Sequence, residues 1–175
     1  MISRHTDSWF AIRVKSNRER VTADALRGKG FEVCLPAYRE HRLGSRGRQA
    51  AEVPLFAGYL FSCFDIHNRL PILTVPGIVH IVGFGKAPQP VDANEMASVF
   101  ALIQSGLRVT PHPYLPVGHR VQLRTGPLRG VEGIVLAHKG EDRFVVSLTL
   151  LQRSIAVDVH RRWIAEAAAP VVVNA

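Results

Sequence analysis

The sequence predicts an α+β fold, with an N-terminal α/β sandwich (an antiparallel sheet flanked by helices) and a small C-terminal β-barrel. Three observations carry this. Strand-like and helix-like apolar periods alternate through residues 8–106. Pro111, Pro113 and Pro116 then interrupt the chain within six residues, which blocks regular structure and favours a semi-stiff extended connection. Beyond them come four or five short β-prone runs in about fifty residues, a number and length that close as a small barrel. The domains are therefore expected at 8–106 and 117–165, with a connection over 107–116 and a disordered tail over 166–175.

The first domain opens on a compact β-prone run, Trp9 to Val14. Ser16 and Glu19 have capping-box spacing and open a helix, which Gly28 and Gly30 stop near Lys29. Its inner face is expected at Val21, Ala25 and Leu26. Phe31 to Leu35 reads as a second strand, ended by Pro36. The segment Arg39–Arg48 holds four arginines with glycines and almost no apolar residue, so a projecting hairpin or loop is expected. Residues 54–64, PLFAGYLFSCF, read as one long aromatic strand. Alternation puts Tyr59, Phe61 and Cys63 on one face and Phe56, Leu60 and Phe64 on the other. Both faces are apolar, so the strand lies between two layers or turns one face to a partner.

Residues 65–76 are expected to be irregular or one short helix. Residues 78–84, IVHIVGF, read as a strand in which His80 is a structural histidine, and Gly85 to Pro90 as a turn. Asp92 caps a last helix, with Glu95 at capping-box spacing. Met96, Val99, Phe100 and Ile103 form its apolar stripe, and Gly106 ends it.

The second domain is organised around residues 117–135, VGHRVQLRTGPLRGVEGIV. Val121 and Leu123 alternate with Gln122 and Arg124. Gly126-Pro127 marks a turn, and Gly130 and Gly133 allow bends or close backbone approach. Phe144, Val146, Leu148 and Leu150 alternate inward, as do Ile155, Val157 and Val159. These alternating, β-rich strands argue for a stable barrel that does not exchange folds.

Twenty-two Lys and Arg against 14 Asp and Glu leave a net charge of +8 and a pI near 10.3, a balance that favours nucleic acid or another acidic partner. The excess sits early, since residues 1–50 hold 11 basic against 5 acidic groups. Cys34 and Cys63 lie in apolar runs without C-x-x-C spacing, so they read as buried free thiols of a reducing compartment. No apolar run reaches the ~18 residues of a membrane helix, and Met1 to Ser8 lacks a signal peptide's apolar core. A cytoplasmic protein with no membrane partner is expected. The eight histidines show no metal-ligand spacing, and no nucleophile elbow or phosphate-binding glycine loop occurs. Asp65, Asp92 and Glu95 read as turn and cap residues. The chain is therefore expected to be no enzyme, with no cofactor and no metal.

Taken in order, W-F-x-I-R-V-K, a helix, P-L-F-A-G-Y-L-F, G-I-V-H-I-V-G-F-G, a second helix, a connection and the glycine-rich stretch resemble the NusG family of transcription elongation factors. The last piece resembles a KOW motif, the strand–loop–strand signature of SH3-like barrels. The resemblance covers roughly residues 8–165. Its P-L-F-A-G-Y-L-F-S-C-F-D and G-I-V-H-I-V-G-F-G segments are most similar to specialised paralogues, the RfaH and polysaccharide-operon regulators.

The resemblance implies a factor that grips the clamp coiled coil of RNA polymerase and modulates pausing, termination or antitermination. By position, the gripping surface falls on Tyr59 and Phe61, with Phe56, Ile81 and Phe84 around it. Trp9, Phe10 and Phe64 are expected in the core. Arg13, Lys15, Arg18 and Arg20 match a region that faces the non-template strand or upstream DNA, and the alternative there is a solvated basic face. In the KOW domain, family partners such as the Rho terminator and a small-subunit ribosomal protein bind beside Leu150, Leu151 and Arg153. Leu151-Gln152 departs from the aromatic and glycine of housekeeping members, leaving Leu150 and Leu151 as an apolar knob. A ribosome- or RNA-binding KOW protein is the alternative reading, but it has no need of the aromatic strand at 55–64.

Overall fold

The computed structural model describes residues 7–44, 47–85, 87–115, 120–138 and 141–164, with backbone alone at 41–44, 47–49, 137, 138 and 141. It is mixed α/β, and its strand pairings are antiparallel. Two compact units divide between Met96 and Ala97.

In the first unit, β1 (Ser8–Val14) sorts its side chains by alternation. Phe10, Ile12 and Val14 enter the core beneath α1 (Glu19–Gly28), where they meet Ala23 and Leu26. The face of α1 differs from expectation. Val21 and Ala25 are exposed, and the buried stripe is Glu19, Thr22, Ala23 and Leu26. This is still helical spacing, but two of its members are polar and satisfied by hydrogen bonds, which apolar periodicity does not detect. Nor does Ser16 cap the helix: the N-cap position is Arg18, without a side-chain bond.

β2 (Glu32–Cys34) follows, then a hairpin of β3 (Ala37–Gly44) and β4 (Gly47–Pro54). Its register runs without interruption from Ala37 opposite Pro54 to Gly44 opposite Gly47. Ser45 and Arg46 lie outside the described residues. The expected long aromatic strand is divided. Pro54 ends β4, a turn occupies 55–58, and β5 is only Tyr59–Phe64. A short 3-10 turn, Ile66–Asn68, is capped by Asp65, and α2 (Leu70–Leu73) completes the connection. β6 (Ile78–Ile81) ends before a two-residue pairing of β7 (Gly83–Phe84) with β8 (Ala87–Pro88). The main sheet has the order β2-β5-β1-β6. Phe64, Leu60, Ile72, Val75 and Ile81 complete the core on the α1 side.

Asp92 caps α3 (Ala93–Gln104) by accepting bonds from the backbone N–H of Asn94 and Glu95 at 2.9 and 3.1 Å. Met96, Val99 and Leu102 are its buried residues, whereas Ile103, placed on the stripe by periodicity, is exposed.

In the second unit, β9 (Val109–His112), β10 (Arg120–Gln122), β11 (Glu132–His138), β12 (Glu141–Leu148) and β13 (Arg153–Val159) form one sheet in the order β10-β11-β12-β13-β9. The segment expected as an extended connection thus supplies a strand. Pro111 sits opposite Ile155 on β9, an edge of the sheet, where a missing N–H is tolerated. Ser147 and Ser154 then hold Leu115: its carbonyl accepts from Ser147 Oγ at 3.0 Å, and its N–H donates to Ser154 Oγ at 3.1 Å. Residues 117–119 of the glycine-rich stretch and the expected tail at 166–175 lie outside the described residues.

Candidate partner-binding surfaces

The face of the first sheet opposite α1 carries three cross-strand rows. Register places Trp9 with Cys63 and Glu32, Ala11 with Phe61 and Cys34, and Arg13 with Tyr59 and His80. The middle row is closed. Phe61 is 0 % exposed, and Phe56 packs edge-on against it with ring centroids 5.6 Å apart. The last row is open: Arg13 and Tyr59 are half-buried and His80 is exposed. His80 is therefore not the enclosed structural histidine expected of an apolar strand, because β6 is a sheet edge.

The open row is built on the turn before β5. Gly58 has φ +79°, and a Cβ there would run into the Arg13 guanidinium, so only glycine fits both the backbone and the neighbour. Its N–H donates to Glu19 Oε1 at 2.8 Å. Its carbonyl accepts from the Val14 N–H at 2.9 Å and more distantly from Arg13 at 3.4 Å. Glu19, 7 % exposed, reaches from the first turn of α1 to fix this loop. Arg13 then lies over the Tyr59 ring, 4.8 Å from guanidinium carbon to ring centroid, a cation–π contact. Sequence reading missed this clamp, because Glu19 is polar and its partner Gly58 lies 39 residues away.

The expected gripping residues separate accordingly. Phe56, Phe61 and Ile81 are buried and are corrected from surface to core, because pleat and packing turn them inward. Tyr59 is half-buried, and Phe84 is 74 % exposed. Phe10 and Phe64 are buried as expected and lie 4.8 Å apart by ring centroid, while Trp9 is half-buried.

The four expected DNA-facing cations also differ from one another. Arg13 is engaged with Tyr59 and Gly58. Arg20 is ion-paired with Glu52 of β4 at 2.7 Å. Lys15 and Arg18 are exposed on the loop between β1 and α1 and form no ion pair with a described residue. The basic segment is the β3–β4 hairpin, where Arg39 is exposed opposite Glu52.

In the second unit, the β12–β13 turn holds Leu151 at 7 % exposure and Leu150 half-buried. The apolar knob is therefore corrected at Leu151, which points into the core. Gln152 adopts φ +50°, a conformation that favours glycine, and Arg153 is exposed. Within the glycine-rich turn, Gly126 (φ +83°) lies against the indole of Trp163, where a Cβ would stand 2.6 Å from the ring.

Cys34 and Cys63 are free thiols. Burial pushes the Cys34 thiol from 9.0 up to about 12, and it also raises that of Cys63. Among the described residues, no cluster of His, Cys, Asp and Glu is arranged for a metal, and no helix is long and apolar enough to cross a membrane.

Residues 7–100 match the family described as "Transcription termination factor nusG". The chain is 26% identical to the transcription termination/antitermination protein NusG of Thermus thermophilus over 174 residues, covering 86% of this chain and 94% of that protein. It is 22% identical to the Borreliella burgdorferi protein of the same description, covering 87% and 94%. A solved structure of Thermotoga maritima NusG superposes with a TM-score of 0.52 at 20% identity, covering 90% of this chain and 96% of that one.

Proposed function

The chain belongs to the NusG family of transcription termination and antitermination factors, and from that premise we propose that it binds elongating RNA polymerase through the open end of its first sheet. The Tyr59 ring, held by Arg13 and presented by the Glu19–Gly58 clamp, is the observation that carries this reading. A fixed aromatic loses little conformational entropy on docking, and aromatic and Arg side chains are the commonest energetic anchors of interfaces. Phe84, exposed on β7, supplies a second apolar contact. The clamp coiled coil is the partner this surface fits. Lys15 and Arg18 are free to neutralise phosphates of the non-template strand or upstream DNA.

The first unit is then the NusG-type sandwich and the second an SH3-like KOW barrel. The bridge between Leu123 and Ile164, beyond the ends of the five paired strands, supports closure. Leu150 and Arg153 remain for a recruited protein such as Rho or a small-subunit ribosomal protein.

Co-purification with core RNA polymerase tests the surface. Tyr59→Ala/Phe84→Ala should lose most retention while keeping its thermal unfolding temperature within a few degrees, since neither ring is part of the core. Equal retention of the double variant would sink the surface assignment. Failure of the wild type to bind polymerase, with recovery on ribosomes, would replace the reading with a ribosomal one. Titration into an in vitro transcription reaction should change pausing or termination.

A further inference from the structure

We propose that Leu115 is the catch of a releasable strap, residues 109–115, whose docking and release set how far the second sheet can move from α3. Both backbone groups of Leu115 are held by one pair of hydroxyls. Its N–H donates to Ser154 Oγ at 3.1 Å, and Ser147 Oγ donates to its carbonyl at 3.0 Å. The two hydroxyl oxygens lie 2.8 Å apart, across the Ser147–Ser154 pair of β12 and β13. A hydroxyl carries one proton. That of Ser147 is committed to Leu115, so Ser154 donates to Ser147. The groups therefore close a one-way ring, from the Leu115 N–H to Ser154, on to Ser147 and back to the Leu115 carbonyl. Each bond in such a ring polarises the next, so the catch forms and breaks as a unit.

The rest of the strap is thinly held. β9 is an edge of its sheet, and β13 is the one strand paired with it among the described residues. Pro111 and Pro113 have no N–H to give. Val109 is the one buried residue of the strap, whereas β13 buries Ser154, Ile155, Ala156, Val157 and Val159. Thr110 Oγ1 reaches the Ala156 carbonyl only at 3.5 Å. Sparse burial and few backbone bonds are the conditions for local opening, so the serine ring is what keeps the strap docked. While it is docked, only residues 105–108 join α3 to β9. Release adds residues 109–115 to that connection, about 22 Å at the rise of a proline-rich chain. A second unit that recruits one protein while the first holds polymerase uses this reach. That purpose rests on the function proposed above, whereas the strap itself does not.

Native-state hydrogen exchange of the full chain tests the strap. In the wild type, the β9 and Leu115 amides should exchange together and well before those of β12 and β13. In Ser147→Ala/Ser154→Ala they should exchange about tenfold faster relative to the Phe144 and Val145 amides. Ser147→Ala alone opens the ring at its less buried hydroxyl and should shift exchange the same way, which keeps the test intact where Ser154→Ala unfolds the second sheet. The second readout is energy transfer between dyes on Ala97→Cys of α3 and Glu132→Cys of β11, both exposed positions, in a Cys34→Ser/Cys63→Ser background. The distances should become longer and broader when the ring is broken. Strap protection equal to that of β13 in the wild type overturns the proposal. So does unchanged exchange in the variants, or an unchanged distance distribution. Neither readout uses polymerase, so failure of the strap and failure of the polymerase-binding reading are told apart.

Discussion

At the residue scale, the aromatic side chains of residues 56–61 divide between core and surface. Phe61 is enclosed by Ala11, Phe56 and the sheet, so Phe61→Ala should destabilise the fold by about 3–5 kcal/mol in urea titration. Phe84→Ala should stay within about 0.5 kcal/mol, because its ring is in solvent. Equal losses would contradict this division. Cys34 yields a pH dependence. Its folded thiol stays protonated up to about 12, whereas the unfolded thiol ionises near 9.0. The unfolded state therefore binds fewer protons between these values, and stability falls as pH rises through that window. Cys34→Ser should flatten the stability profile above pH 9, read by denaturant midpoints. A profile identical to wild type would show that the thiol is not held protonated.

At the element scale, the β3–β4 hairpin stands apart from the four-stranded sheet. Its strands, each eight residues long, extend about 26 Å. The Arg20–Glu52 ion pair ties it to α1, and the bond from the Leu55 N–H to the Pro36 carbonyl at 2.8 Å continues its ladder by one rung. An exposed ion pair contributes at most about 1 kcal/mol, and a two-stranded ribbon is marginal alone. Native-state hydrogen exchange should therefore release β3 and β4 amides well before those of β1 and β5. Protection equal to that of β1 would require contacts that hold the hairpin to the sheet. β9 shows the opposite effect. Its prolines discourage a strand locally, but edge pairing with β13 and the serines that hold Leu115 make this segment part of the second sheet.

At the scale of the molecule, family membership and the mixed antiparallel architecture were legible in order and spacing. Strand alternation, the Asp92 cap, the Gly28–Gly30 stop and the glycine-rich turn are local signals, and each is decided within a few residues of chain. The surfaces proposed for partners were legible only in part. Tyr59, Phe84, Lys15 and Arg18 are accessible as the resemblance implied, while Phe56, Phe61, Ile81 and Leu151 are buried. Composition marks a residue as apolar without saying which neighbour will cover it.

The sequence by itself determined the family and most of the elements in their order, but not β9 or the break between β4 and β5, because backbone preference and hydrophobic period act over short stretches. Only the tertiary structure decided that Glu19 would clamp Gly58, that Tyr59 would lie beneath Arg13 and that the Arg124 N–H would bond the Trp163 carbonyl. Each of these joins segments distant in sequence. Such contacts depend on sheet register and loop closure, and no local pattern encodes them.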